Sequence, residues 1–162
     1  MFKNEAPINI LLVDDKPNNL LVLEAVLESL GLNLMTAHSG EEALKKLSQE
    51  DFAVILLDVR MPEMDGFQTA TTIQHLHPTR QTPIIFMTAA HENEMEKAQA
   101  YAVGAIDYML KPFVPAVLRT KVSILISLYR KNLKLQQLAD KLKIRIGELE
   151  HLNVMLHEKL TS

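Results

Sequence analysis

The chain has 162 residues, 48% of them apolar, a formal net charge of −3 and no cysteine. That is enough apolar matter for one packed domain with length to spare; it excludes disulfides, cysteine-ligated metals and a general basic surface for nucleic acid. No apolar run reaches the roughly 18 residues of a membrane helix, and MFKNEAPIN lacks a signal-peptide core, so a soluble, cytoplasmic protein is expected.

Met1 to Pro7 reads as a disordered lead-in. Ile8 to Val13, INILLV, is a continuous apolar run and predicts a first strand, ending in Asp14-Asp15. Pro17 suits the first turn of a helix, and Leu20, Leu23, Val26, Leu27 and Leu30 mark its buried stripe. Gly31 is a natural stop. Leu32 to Ala37 predicts a shorter second strand. Ser39 with Glu42 predicts a capping box for a second helix that turns Ala43, Leu44 and Leu47 inward.

Val54 to Gly66, VILLDVRMPEMDG, is the stretch around which the chain is organised. Four apolar residues run into Asp58, and a turn with Pro62 and Gly66 follows. The run predicts a third strand buried on both faces, with Asp58 at its C-terminal end. Open α/β sheets place their ligand crevice there. Phe67 to Leu76 predicts a third helix, ended by His77-Pro78. Pro83 to Thr88 predicts a fourth strand. A fourth helix is expected from about Asn93 to Val103, with Met95, Ala98 and Ala102 on one face. Gly104 closes it, and Ala105 to Leu110 predicts a fifth strand, followed by Lys111-Pro112. Strands and helices alternate five times, which implies parallel strands and right-handed crossovers.

In that sheet the ends of strands one, three, four and five carry Asp14-Asp15, Asp58, Thr88 and Lys111. Singly, each has a plain explanation: helix-start acids, a turn-capping Asp, strand-end polarity, a solvated lysine. Together on one edge they form a site. Three carboxylates at close quarters repel one another, and a hard divalent cation with oxygen ligands, Mg²⁺ or Mn²⁺, resolves the conflict.

The set DD, D-x-x-M-P-x-M-D-G, T-A and K-P resembles the receiver domain of two-component response regulators, over about Ile8 to Leu128. The resemblance implies a flavodoxin-like, doubly wound (βα)5 sheet with strand order 2-1-3-4-5. It implies that Asp58 accepts a phosphoryl group from a phosphohistidine on a histidine kinase or phosphotransfer protein. Asp15 would then ligate Mg²⁺ directly and Asp14 through a water, with Asp58 and the backbone carbonyl of Arg60 completing the metal site. Thr88 and Lys111 would contact the phosphoryl group, and Tyr108 matches the family's rotating aromatic. Arg60 and Ala90 occupy positions that tune phosphate lifetime in the family. No classical turnover is expected; the chain would catalyse its own phosphorylation and dephosphorylation at Asp58. His75 and His77 read as solvated, and His157-Glu158 as helix surface. A haloacid-type phosphohydrolase would need a D-x-D pair, which is missing here.

After Pro115 no glycine or proline interrupts the chain until Gly147. Leu128, Leu135, Leu142, Leu149 and Leu156 recur seven apart. Four residues after each stand Asn132, Ala139, Ile146, Asn153 and Leu160, and Leu125 precedes the series. This a/d heptad pattern predicts a parallel homodimeric coiled coil over residues 129–162, continuous with the last receiver helix. A wider bundle is the alternative, because Leu138 and Leu152 place apolar side chains at g. Asn132 and Asn153 would fix register by bonding to their own copies, and Arg145 at g would pair with Glu150 across chains. A helix from Val114 to the C-terminus would span roughly 70 Å. The expectation is a phosphorylation switch passed to this rod, leading toward an output domain after Ser162. The alternative is a dimeric adaptor that acts by protein–protein binding alone.

Overall fold

A computed structural model describes residues 7–89 and 94–162. The expected lead-in lies outside the described residues apart from Pro7, as do Ala90 and Asn93. Five strands form one sheet: β1 (Asn9–Val13), β2 (Asn33–Ala37), β3 (Val54–Asp58), β4 (Ile84–Ala89) and β5 (Asp107–Lys111). All pairings are parallel, and the order is β2-β1-β3-β4-β5. The helices α1 (Pro17–Leu27), α2 (Gly40–Gln49), α3 (Gly66–Leu76), α4 (Glu94–Ala102) and α5 (Pro115–Thr161) connect or follow the strands. This is the doubly wound, flavodoxin-like arrangement that the family resemblance implies.

Burial along the strands explains their composition. Every residue of β3 is buried, as are Ile10 to Val13 of β1 and Ile84 to Thr88 of β4. Strands covered on both faces must be apolar throughout, so they read as continuous runs. The edge strands β2 and β5 are only part-buried, and they admit Asn33, Thr36 and Asp107. Ile55, Leu57 and Phe86 join Leu11, Leu47 and Ile73 in the core, where Phe67 and Phe86 meet at 5.1 Å between ring centroids.

Local chemistry sets the helix ends. Pro17 opens α1, and Leu20, Leu23 and Leu27 are its buried residues. A short 3₁₀ turn, Glu28–Leu30, closes on Gly31 at φ +65°. The N-terminus of α2 differs from the expected capping box in one respect. Ser39 accepts from the Glu42 backbone N–H at 3.1 Å, but the Glu42 carboxylate accepts from the His38 N–H, one residue further back. A complete box stands instead at α3, where Asp65 and Gln68 each accept from the other's backbone N–H.

The face expected for α4 is not the one that turns inward. Met95 is 80% exposed, and Ala98 and Ala102 are exposed as well. The buried residue is Ala100, and Glu96 and Lys97 are half-buried. An alanine-rich helix has little apolar area with which to choose a face, so polar partners decide it; those of Glu96 are described below.

Gly66 positions the turn after β3. A Cβ on it would stand 2.3 Å from the Asp58 carbonyl oxygen and 2.9 Å from the Val59 Cα. Both are backbone atoms and cannot step aside. Gly66→Ala should therefore cost about 3 kcal/mol, of the order of severe overpacking, read as a lower urea midpoint at unchanged m-value.

The chain divides into two compact units, one ending at Ile126 and one beginning at Ser127. In the first, Leu118, Val122 and Ile126 of α5 are buried. In the second, Leu128, Leu135, Leu142, Ile146, Leu149, Leu156 and Leu160 are between 49% and 85% exposed. No helix among the described residues is long and apolar enough to cross a membrane.

Candidate functional site

The parallel register brings the functional side chains together. Val13 pairs with Leu57, so Asp14 and Asp15 leave the sheet beside Asp58. Asp58 pairs with Met87, one residue before Thr88, and Ala89 pairs with Lys111. The C-terminal ends of β1, β3, β4 and β5 thus converge on one edge, as the strand order requires.

Asp14, Asp15 and Asp58 each offer a carboxylate oxygen, and all three oxygens lie within 4.8 Å of one another. Asp14 is almost fully buried and well supplied with donors. The Lys16 backbone N–H donates to Oδ1 at 2.9 Å; the Asn19 amide and Lys111 Nζ donate to Oδ2 at 3.1 and 2.8 Å. Lys111 Nζ also reaches Asp58 Oδ1 at 3.5 Å. Asp15 differs, since its buried Oδ1 has no hydrogen-bond partner among the described residues.

An orphaned buried carboxylate oxygen is costly, and a cation would satisfy it. The donor set is all oxygen and anionic, the set a hard divalent cation such as Mg²⁺ prefers. Asp58 feels the same crowding of negative charge. Burial raises its pKa from the ordinary 3.8 to about 6, Lys111 opposes that rise, and Asp14 and Asp15 add to it. The Asp58 side chain is 9% exposed, so solvent does little to screen these effects.

Thr88, also buried, directs its hydroxyl to the Ala89 carbonyl at a long 3.5 Å, so that hydroxyl is only weakly held. Tyr108 is buried and donates from its phenol to Glu96 Oε2 at 3.4 Å. The other oxygen of Glu96 lies 3.4 Å from Arg60 Nη2. Sequence reading placed Asp14, Asp15, Asp58, Thr88 and Lys111 at one site, and the structure brings all five to one edge of the sheet. It did not find Asn19, which supports Asp14, or Glu96, which joins Arg60 to Tyr108. A carboxylate at the start of an alanine-rich helix carries no signal for a tertiary partner.

A buried acidic cluster with an adjoining lysine and threonine, at the strand ends of a 2-1-3-4-5 sheet, defines a receiver-type signalling domain. A family profile described as response regulator receiver domain matches residues 10–123, and the chain belongs to that family. A probable transcriptional regulator, ycf27, of Cyanidium caldarium is 34% identical over 158 residues, 97% of this chain and 61% of the relative. The transcriptional regulatory protein SrrA of Staphylococcus aureus is 40% identical over 114 residues, 69% of this chain and 46% of the relative. The chain thus spans under two thirds of these relatives' lengths. Among solved structures, the chemotaxis protein CheY4 of Vibrio cholerae is 31% identical with a TM-score of 0.68, covering 74% of this chain and 99% of that one. A CheY-like receiver domain protein of Methanospirillum hungatei is 27% identical with a TM-score of 0.70, covering 78% and 99%.

Proposed function

We propose that Asp58 is the phosphoryl acceptor of a two-component relay and that the second unit joins two copies of the chain. The single observation that supports the first part most is the buried cluster of Asp14, Asp15 and Asp58 with the Asp15 oxygen left unpartnered. In this reading Asp15 holds Mg²⁺ directly. Asp14, whose oxygens already accept three donors, acts through water. Asp58 and the Arg60 carbonyl complete the set. The ion supplies positive charge against the equatorial phosphoryl oxygens.

The remaining chemistry belongs to the chain. A carboxylate oxygen of Asp58 attacks phosphorus in line as the bond from phosphorus to a donor imidazole nitrogen breaks. The electron pair leaves with the imidazole. Lys111, already beside Asp58, moves its ammonium onto a phosphoryl oxygen. The weakly held Thr88 hydroxyl turns from the Ala89 carbonyl to donate to another, drawing in the end of β4. The donor is a histidine kinase or a phosphotransfer protein.

The second unit supports a parallel coiled coil in the same way. A helix whose heptad leucines stand half exposed or more needs a partner to cover them, and a second copy offers the same stripe in register. The relatives' names point to transcriptional output; such an activity would lie in parts of those proteins that this chain does not match.

The test is labelling with a small phosphodonor such as acetyl phosphate. The wild-type chain should take up one acid-stable, base-labile phosphoryl group with Mg²⁺ and none with a chelator. Asp58→Asn should take up none, and Lys111→Ala should slow uptake at least tenfold, the size of one lost electrostatic contact to the transferring group. Equal labelling of Asp58→Asn and wild type would refute the assignment.

A further inference from the structure

One carboxylate in the first unit serves two masters. Glu96 Oε1 lies 3.4 Å from Arg60 Nη2, and Glu96 Oε2 accepts from Tyr108 Oη at 3.4 Å. Arg60 stands two residues after Asp58, in the turn between β3 and α3. Tyr108 stands three residues before Lys111, on β5. Glu96 therefore ties the turn that follows Asp58 to the aromatic side chain beside Lys111, by way of a third element, α4.

The burial pattern shows that this link decides local structure. Glu96 and Lys97 face inward, while Met95 is turned out to 80% exposure. Tyr108 is 8% exposed, and the Glu96 carboxylate is one acceptor of its phenol. Arg60, 66% exposed, loses little hydration in meeting the outer oxygen. Its contact orients the carboxylate more than it stabilises the fold, as expected of an exposed ion pair.

We infer that Glu96 is the positioning residue for Tyr108. It holds the ring in its buried setting before any phosphoryl group is present, and Arg60 orients the carboxylate that does so. The buried setting is thus built into the resting chain, and an event at Asp58 that moves the Arg60 turn changes the hold on Tyr108. This last step rests on the reading of Asp58 as phosphoryl acceptor; the hold itself does not. By linkage, if phosphoryl occupancy favours buried Tyr108, then losing Glu96 weakens occupancy in proportion to the buried fraction it removes.

The experiment is ¹⁹F NMR of the full chain labelled with 3-fluorotyrosine, with Tyr108→Phe assigning the signal among three tyrosines. Glu96 and Tyr108 each interact with other groups as well, so the readout is a difference between variants. Glu96→Ala should lower the ratio of buried to exposed Tyr108 about fivefold, the net size of one ordinary hydrogen bond, as suits a contact of 3.4 Å. Glu96→Gln, which keeps an acceptor oxygen and the helix, should fall between Glu96→Ala and wild type. Arg60→Ala should shift the ratio in the same direction, and should add nothing in the Glu96→Ala background. An unmoved Tyr108 signal in both Glu96 variants would overturn the inference, as would an Arg60→Ala shift that adds in full to that of Glu96→Ala. A beryllofluoride titration then reads the coupling, with affinity weaker in Glu96→Ala than in wild type by the loss of buried fraction that the fluorine spectra record. Wild type that binds no beryllofluoride would refute the acceptor reading, while the fluorine spectra still decide the role of Glu96.

Discussion

Asp58→Asn should make the metal-free protein more stable at neutral pH, although it abolishes phosphoryl acceptance. The folded-state pKa of Asp58 is about 6 and the unfolded value about 3.9. Between those values the folded chain holds a proton that the unfolded chain has lost. Stability from this group is therefore greatest near pH 4 and declines as pH rises toward 6. Above that the full cost of an ionised, buried carboxylate remains. At about 1.4 kcal/mol per pKa unit the cost is about 2–3 kcal/mol at pH 7. Asn keeps the shape and removes the charge, so metal-free Asp58→Asn should melt about 5–10 °C higher than wild type at pH 7 and no higher at pH 4. Mg²⁺ should close much of the gap, because it stabilises the ionised wild-type cluster and gains less from the variant. A calorimetric scan of both proteins at pH 4 and pH 7, with Mg²⁺ and with chelator, checks all eight values. A wild type that gains stability from pH 4 to pH 7 without metal, by more than Asp58→Asn does, would contradict the assignment.

The second large effect belongs to the helical unit. Leu142 and Leu149 are 55% and 49% exposed in a single chain. Covering such a side chain contributes about 1–2 kcal/mol, and a symmetric dimer counts each substitution twice. Leu142→Lys should therefore weaken association by about 2–4 kcal/mol, roughly a hundredfold in Kd, with like charges opposed across the seam adding to the loss. Leu142→Lys with Leu149→Lys should sediment as a monomer at micromolar concentration while wild type sediments as a dimer. Asn153→Leu should act in the opposite sense. It removes a polar seam residue, raises helical stability and admits larger assemblies. Wild type that sediments as a monomer would end the coiled-coil reading and leave Asp58 untouched.

The residues that could be read in advance share a physical property: their signal is local. Buried parallel strands must be apolar along their whole length, so INILLV, VILLD and PIIFMT announce themselves. Pro17 and Gly31 act through backbone geometry at their own positions. Asp58, Thr88 and Lys111 could be gathered because each stands where an apolar run stops, and parallel strands put their stops together. What escaped depends on partners distant in sequence. The inward face of α4 follows from Glu96 meeting Arg60 and Tyr108, and three alanines gave no opposing vote. The Asp65–Gln68 box was written in plain D-x-x-Q form but lay beneath the more conspicuous loop after Asp58. Lys111, expected against a phosphoryl group, spans Asp14 and Asp58, since a part-buried cation seeks whatever anions are near.

Peptide mapping of the phosphorylated chain after borohydride reduction tests the central assignment most directly. Reduction converts an aspartyl phosphate to homoserine and so records which carboxyl held the group. The account predicts homoserine at position 58 alone, in Mg²⁺ and not in chelator. Homoserine at position 14, 15 or 65, or none anywhere in a chain that still binds Mg²⁺, would contradict it.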